Sequence, residues 1–255
     1  HYESLDGVLY TRDRTRLIAY PAARSAGGSY TIAEGVEGID DMAFLMARVE
    51  SVSLPSTLRR IGSQSFEGAH LRELTLPDAF ETMGASAFWH MPALTRVDLG
   101  GARNVSTNAF RDDAALREAN LRPDRGTLAS VAEGAFVGTG VTSISLPDSV
   151  ASVDDEAFAK MPALTSFHVG AGLSDLGDYV LEEDERLATI SVSPSNPTFS
   201  VSDGALYRRA EGASTLVRFP PASPETEVVV APGTTAIGAE AFENSASLRR
   251  VVLPD

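Results

Sequence analysis

The chain repeats itself roughly every 22 residues, and that constrains its fold more than any other feature. The clearest copy runs from Leu71 to Phe88, with apolar residues at Leu71, Leu74 and Leu76, then Met83, then Phe88 after the small Ala87. The aromatic anchor recurs as Phe44, Phe66, Phe88, Phe110, Phe136, Phe158 and Phe242, with Leu181 in the equivalent place. Five residues before each anchor stands an apolar residue: Ile39, Ile61, Met83, Val105, Val131, Val153, Leu176 and Ile237. Shortly after each anchor comes a three-point apolar pattern, such as Leu71/Leu74/Leu76, Leu94/Val97/Leu99 or Val141/Ile144/Leu146. The period is 22 or 23 residues, stretched between Phe110 and Phe136 by a polar insertion around Pro123-Asp124-Arg125-Gly126.

A unit of this size cannot enclose a core alone, but one coil stacked on the next buries a continuous apolar column. The alternation L-x-L turns two side chains inward with a polar one between them facing out. Proline after the strand (Pro55, Pro77, Pro147, Pro254) lacks an N–H and stops the ladder there. The small residue before each Phe leaves room for the ring to stack on its neighbour. The pattern predicts a mainly β solenoid of parallel strands and turns, its repeat strands in one sheet.

Two longer blocks break the repeat. Residues 1–38 carry Asp6-Gly7-Val8-Leu9-Tyr10, a charged stretch, then Leu17-Ile18-Ala19-Tyr20-Pro21. Residues 203–236 carry Asp203-Gly204-Ala205-Leu206-Tyr207, a loop around Glu211-Gly212, then Leu216-Val217-Arg218-Phe219-Pro220. Two β-prone runs flanking a polar turn predict a hairpin, with Leu9 near Leu17 and Leu206 near Leu216. The expected organisation is therefore a hairpin module at 1–38, repeats at 39–202, a second hairpin module at 203–236 and a further repeat at 237–255. The hairpins are expected to jut from one continuous solenoid. The first residues already look like the middle of a unit, so a fragment of a longer chain is expected, and no signal peptide is visible.

Net charge is -14, from 21 basic and 35 acidic residues, with no Lys/Arg run. That opposes binding to phosphate backbones and anionic membrane surfaces, where affinity comes from neutralising phosphates. Cysteine is absent, which removes disulfides, thiolate metal sites and cysteine nucleophiles. No apolar run approaches the ~20 residues a membrane-spanning helix needs.

The strand L-x-x-L-x-L-P, the pairs Ile61-Gly62, Met83-Gly84 and Ile237-Gly238, and the A-F pair together resemble the BspA-like leucine-rich repeat family. The D-G-x-L-Y … Y-P block is also typical of its arrays. One departure concerns the position three residues after the Phe, often Cys in the family and here Ala47, Ala69, Met91, Asp113, Thr139, Met161, Asp184 and Ser245. The resemblance implies a right-handed leucine-rich-repeat solenoid with two inserted hairpin modules, on a bacterial or protist cell surface or secreted. It implies a non-enzymatic, adhesin-like module whose partner is a protein, such as one of the host's extracellular space. A structural spacer and a glycan-binding module are the alternatives, and a monomer is expected.

The residues suggest no catalytic constellation, no metal site and no cofactor. His1, His70, His90 and His168 lack metal-ligand spacing, and Gly84-Ala85-Ser86-Ala87-Phe88 lacks the second Gly of a nucleophile elbow. The acidic clusters Asp154-Asp155-Glu156 and Glu182-Glu183-Asp184-Glu185 lack the alternating ligands of a calcium loop, and solvated turns are expected there. Binding candidates come from outward strand positions: Glu73, Arg96, Asp98, Glu118 and Asn120, with His168 further along. The bland alternative is a ladder of cross-strand polar pairs that keeps the sheet soluble. Trp89 stands in a polar turn column, where Trp is either a binding hot spot or lies on the stems of Glu67 and Arg111.

Overall fold

The computed structural model describes residues 1–24, 28–122, 124–210 and 212–254. Pro123 of the polar insertion and Glu211 of the second block's loop lie outside them. The described residues form strands and turns with no helix, so no helix is long and apolar enough to cross a membrane. The chain winds as a β-solenoid of about ten coils, marked by the flank residues Leu17, Ile39, Ile61, Met83, Val105, Val131, Val153, Leu176, Leu216 and Ile237. Each regular coil has a two-residue flank strand, such as Thr82–Met83, a turn carrying the Phe, and a face strand, such as Arg96–Asp98.

Face strands pair in parallel at equivalent repeat positions, Leu74 against Val97 and Val97 against Ala119. Flank strands do the same, Ile39 against Ile61 and Ile61 against Met83. The face is not the single sheet that the pattern predicts. It falls into four ladders, 29–31 with 51–53, then 73–120, 143–192 and 227–252. Two of the breaks coincide with departures from the period: the polar insertion after Leu121, and the second longer block.

The core is one long column from Val8 to Leu206, followed by a smaller cluster of Ala205, Tyr207, Leu216, Phe219, Val228, Val230 and Ala241. Phe44, Phe66, Phe88, Phe110, Phe136 and Phe158 are fully buried. Successive rings stack at 4.7–5.5 Å between centroids with interplanar angles of 6–18°. Tyr20 extends the stack onto Phe44 at 4.8 Å, and Leu181 ends it. The glycine of the I-G pairs is required by close approach of neighbouring coils. A Cβ on Gly84 would stand 2.3 Å from the backbone nitrogen of Ser63.

Each Phe turn also holds two residues with positive φ, two before and two after the ring. They are rarely glycine: Ser86 at 55° and His90 at 54° flank Phe88. Left-handed backbone costs a non-glycine residue about 1–2 kcal/mol. Three backbone bonds to the next coil accompany this geometry in the six turns from Phe44 to Phe158, and the turn of Leu181 keeps it without them, with Tyr179 at 58° and Glu183 at 56°.

Both longer blocks contain antiparallel strands, 8–11 with 16–19 and 205–210 with 213–218. The register differs from expectation by a bulge at the same place in both. Leu9 pairs with Ala19 and Tyr10 with Leu17, as Leu206 pairs with Arg218 and Tyr207 with Leu216. The extra residue sets two buried side chains opposite each other in each block. The expectation that the hairpins jut out is corrected at their last strands, which are flank strands of the solenoid. Leu17 pairs in parallel with Ile39, and Leu216 with Ile237.

Candidate functional site

The middle face ladder brings five of the candidate residues together. Glu73, Arg96 and Glu118 stand side by side on adjacent strands, as do Thr75, Asp98 and Asn120 one step along. The two rows differ in freedom. Arg96 and Glu118 approach only to 3.7 Å and keep side-chain exposures of 57% and 69%, a geometry that adds little stability.

Asp98 is fixed. It accepts hydrogen bonds from the Gly100 N–H at 2.9 Å, from Asn120 Nδ2 at 2.9 Å and from an Arg122 guanidinium nitrogen at 3.3 Å. Arg122 belongs to the polar insertion, and Arg125 reaches from the same insertion to Asp78 at 2.6 Å. Sequence reasoning missed both arginines, because they stand outside the strand columns from which the binding candidates were drawn. Its basic residues opposite two repeat-position aspartates were the available signal.

His168 and Trp89 do not join this group. His168 lies in the following ladder between Ser145 and Ser191, with Nδ1 2.9 Å from Ser191 Oγ. Trp89 is half-buried on the Phe turn, its indole N–H donating to Asp112 at 3.2 Å. Among the described residues no three His, Asp or Glu side chains converge to hold a metal ion.

A second feature was hidden from sequence. Asp113 and Asp184, in the column where the family often has Cys, are fully buried. Each accepts one backbone N–H from the preceding coil, of Met91 at 2.6 Å and of Met161 at 2.8 Å, and each leaves Oδ2 without a partner. Burial raises the Asp113 carboxyl well above its usual range and pushes Asp184 up to about 8. The expectation of a solvated acidic turn at 182–185 is therefore wrong at Asp184, whose place in the repeat points it inward.

This architecture defines a leucine-rich-repeat solenoid. The family described as BspA type leucine rich repeat region matches residues 37–125 and 103–208 in six copies, and the chain belongs to that family. Among solved structures it is similar to a leucine rich cell surface protein from Faecalibacterium prausnitzii A2-165, at 18% identity and a TM-score of 0.65, over 100% of this chain and 76% of that one. It is also similar to a leucine-rich repeat protein from Bacteroides ovatus ATCC 8483, at 18% identity and a TM-score of 0.53, over 97% and 79%. The pneumococcal vaccine antigen PcpA aligns at 13% identity with a TM-score of 0.53, over 100% of this chain and 65% of that one. At these identities the likeness concerns the fold. No curated protein matches the chain.

Proposed function

We propose that the chain is a non-enzymatic protein-binding module, displayed at a cell surface or secreted, that adheres to an extracellular protein through the face centred on Glu73, Arg96 and Glu118. The observation that carries this reading is the contrast within the face. One row is fixed by hydrogen bonds to Asp98, and the adjacent row presents three exposed charged side chains in register on a parallel ladder, joined only by the loose 3.7 Å contact of Arg96 with Glu118. Charged groups held this way confer specificity and speed of association more than raw affinity. Location follows by analogy with the cell-surface relative. His168 and Trp89 lie outside this centre and are secondary contacts in the proposal.

The test is capture of immobilised extracellular matrix and cell-surface proteins by the wild-type chain and by the triple variant Glu73→Lys, Arg96→Glu, Glu118→Lys. We expect at least one saturable partner, and a loss of affinity of about tenfold or more in the variant, with thermal unfolding unchanged. Retained affinity in the variant would move the site off this face. Binding on a glycan array with no protein partner would favour the glycan reading, and no binding at all would favour a spacer.

A further inference from the structure

The six interfaces between the coils of Phe44 and Leu181 share one backbone pattern. In each, the N–H groups two residues before the ring, at the ring and two after it donate to alternate carbonyls of the next coil. At Phe88 these are Ser86 to Thr107, Phe88 to Ala109 and His90 to Arg111, each at 2.9 Å. The coil of Leu181 breaks the pattern. The N–H groups of Tyr179, Leu181 and Glu183 have no acceptor among the described residues, because the second longer block follows in place of a regular turn.

A cleft of about 280 Å³ opens at that break, between the coil of Leu181 and the strand Ala213–Arg218. Leu176, Leu181, Phe199 and Leu206 give it an apolar lining, and all four are buried. Arg218 also lines it and is 5% exposed. One guanidinium nitrogen of Arg218 is engaged by the Glu240 carbonyl and by Glu243, while Nε and the other nitrogen have no partner. Asp178 and Glu240 lie on the rim. Glu182, Arg208 and Arg218 have ion-pair partners in Lys160, Asp175 and Glu243, whereas Asp178 and Glu240 have none among the described residues.

We propose that this break is a docking slot for a short peptide segment of another protein, carrying an aromatic residue beside a basic one. The unpartnered backbone N–H groups at the break and the two free Arg218 nitrogens are donors, so the occupant must bring acceptors to them. The six regular interfaces show which acceptors suit donors spaced in this way: alternate carbonyls of a peptide chain, the chemistry of strand addition. An aromatic side chain enters the apolar part of the cleft, against Leu176, Leu181, Phe199 and Leu206. A phosphate or free carboxylate would set its charge against Asp178, Glu182 and Glu240, whereas a lysine or arginine would neutralise the two unpaired rim carboxylates. The slot is separate from the face of Glu73, so the two readings fail independently.

The test is a ¹⁵N–¹H NMR titration of the full chain with acetyl-Ser-Ala-Phe-Lys-Gly-amide, against a control peptide with serine in place of phenylalanine. We expect saturable shifts at the Tyr179, Leu181 and Glu183 amides with the first peptide only. The exposed-rim variant Asp178→Lys should weaken them roughly tenfold or more. Leu181→Phe, which fills the slot, should abolish them. Absence of shifts at these amides at millimolar peptide, shifts confined to the Glu73–Asn120 face, equal binding of the serine control, or unchanged affinity in Asp178→Lys would each overturn the proposal.

Discussion

Phe88→Ala is expected to destabilise the chain by about 3–5 kcal/mol, the cost of emptying a fully buried aromatic site. The ring is sealed on both sides, with Phe66 at 5.5 Å and Phe110 at 5.1 Å. Since solenoid stability is close to a sum of nearest-neighbour terms, the cavity weakens two interfaces at once. Phe242→Ala should cost clearly less. Phe242 is only partly buried, and its aromatic neighbour Phe219 stands at 6.1 Å and a 44° tilt. Glu73→Ala, on the exposed face, should stay within about 0.5 kcal/mol. Chemical denaturation of the three variants gives the order directly, and equal losses for Phe88→Ala and Glu73→Ala would mean that inside and outside have been exchanged.

Stability is expected to fall as pH rises from about 4 to 8, the reverse of ordinary acid denaturation. Asp184 has its carboxyl raised from 3.8 to about 8, first by burial, with Glu243 adding to the rise and the Met161 N–H and Arg218 opposing it. Asp113 is raised in the same direction by burial, with Asp112 adding to it. Between the two values the folded chain keeps a proton that the unfolded chain has lost. The stabilising contribution is therefore complete below about pH 4 and is lost as pH rises through the folded value. Asp184 contributes a slope of about 1.4 kcal/mol per pH unit over that window, and Asp113 acts in the same direction. Glu3, Asp13 and Glu34 are shifted the other way, by hydrogen bonds from Arg14, from Thr11 and from Ser56 respectively. They lie at the surface, Asp13 and Glu34 exposed and Glu3 partly so, and their shifts act at lower pH. Asp184→Asn keeps an acceptor for the Met161 N–H and removes the titration. Denaturation midpoints measured from pH 4.5 to 7.5 should then depend visibly less on pH than those of the wild type. Superimposable profiles would show that Asp184 is ionised in the fold.

The stacking was legible because one side chain per coil carries it. Phe66, Phe88 and Phe110 recur at a spacing that returns them to one azimuth, and the L-x-L alternation identifies which strand residues face out. The grouping of Glu73, Arg96, Asp98, Glu118 and Asn120 followed from the same register. What did not follow depends on backbone geometry that side chains do not announce. Ser86 and His90 give no sign of left-handed backbone, because their place in the turn, not glycine, sets it. The one-residue bulge at Leu9–Tyr10 sets Leu17 opposite Tyr10, one position from the Leu9 it was expected near, a shift that composition does not announce. Asp184 sat in a run of acidic residues and looked solvated, although its column in the repeat had Met161 and Asp113 before it. The open coil at Leu181 was visible only as a Phe replaced by Leu, with no indication that three hydrogen bonds were missing beside it.

Hydrogen exchange followed amide by amide in the free chain tests most directly whether the coils stack in this register and break where they do. The amides of Phe66, Phe88, Phe110 and Phe136, each bonded to the next coil, should exchange only through opening of the stack. Those of Tyr179, Leu181 and Glu183 should exchange orders of magnitude faster, since amides without an acceptor need no such opening. Protection that continued unchanged through Leu181, or fast exchange at Phe88, would contradict the stacking described above.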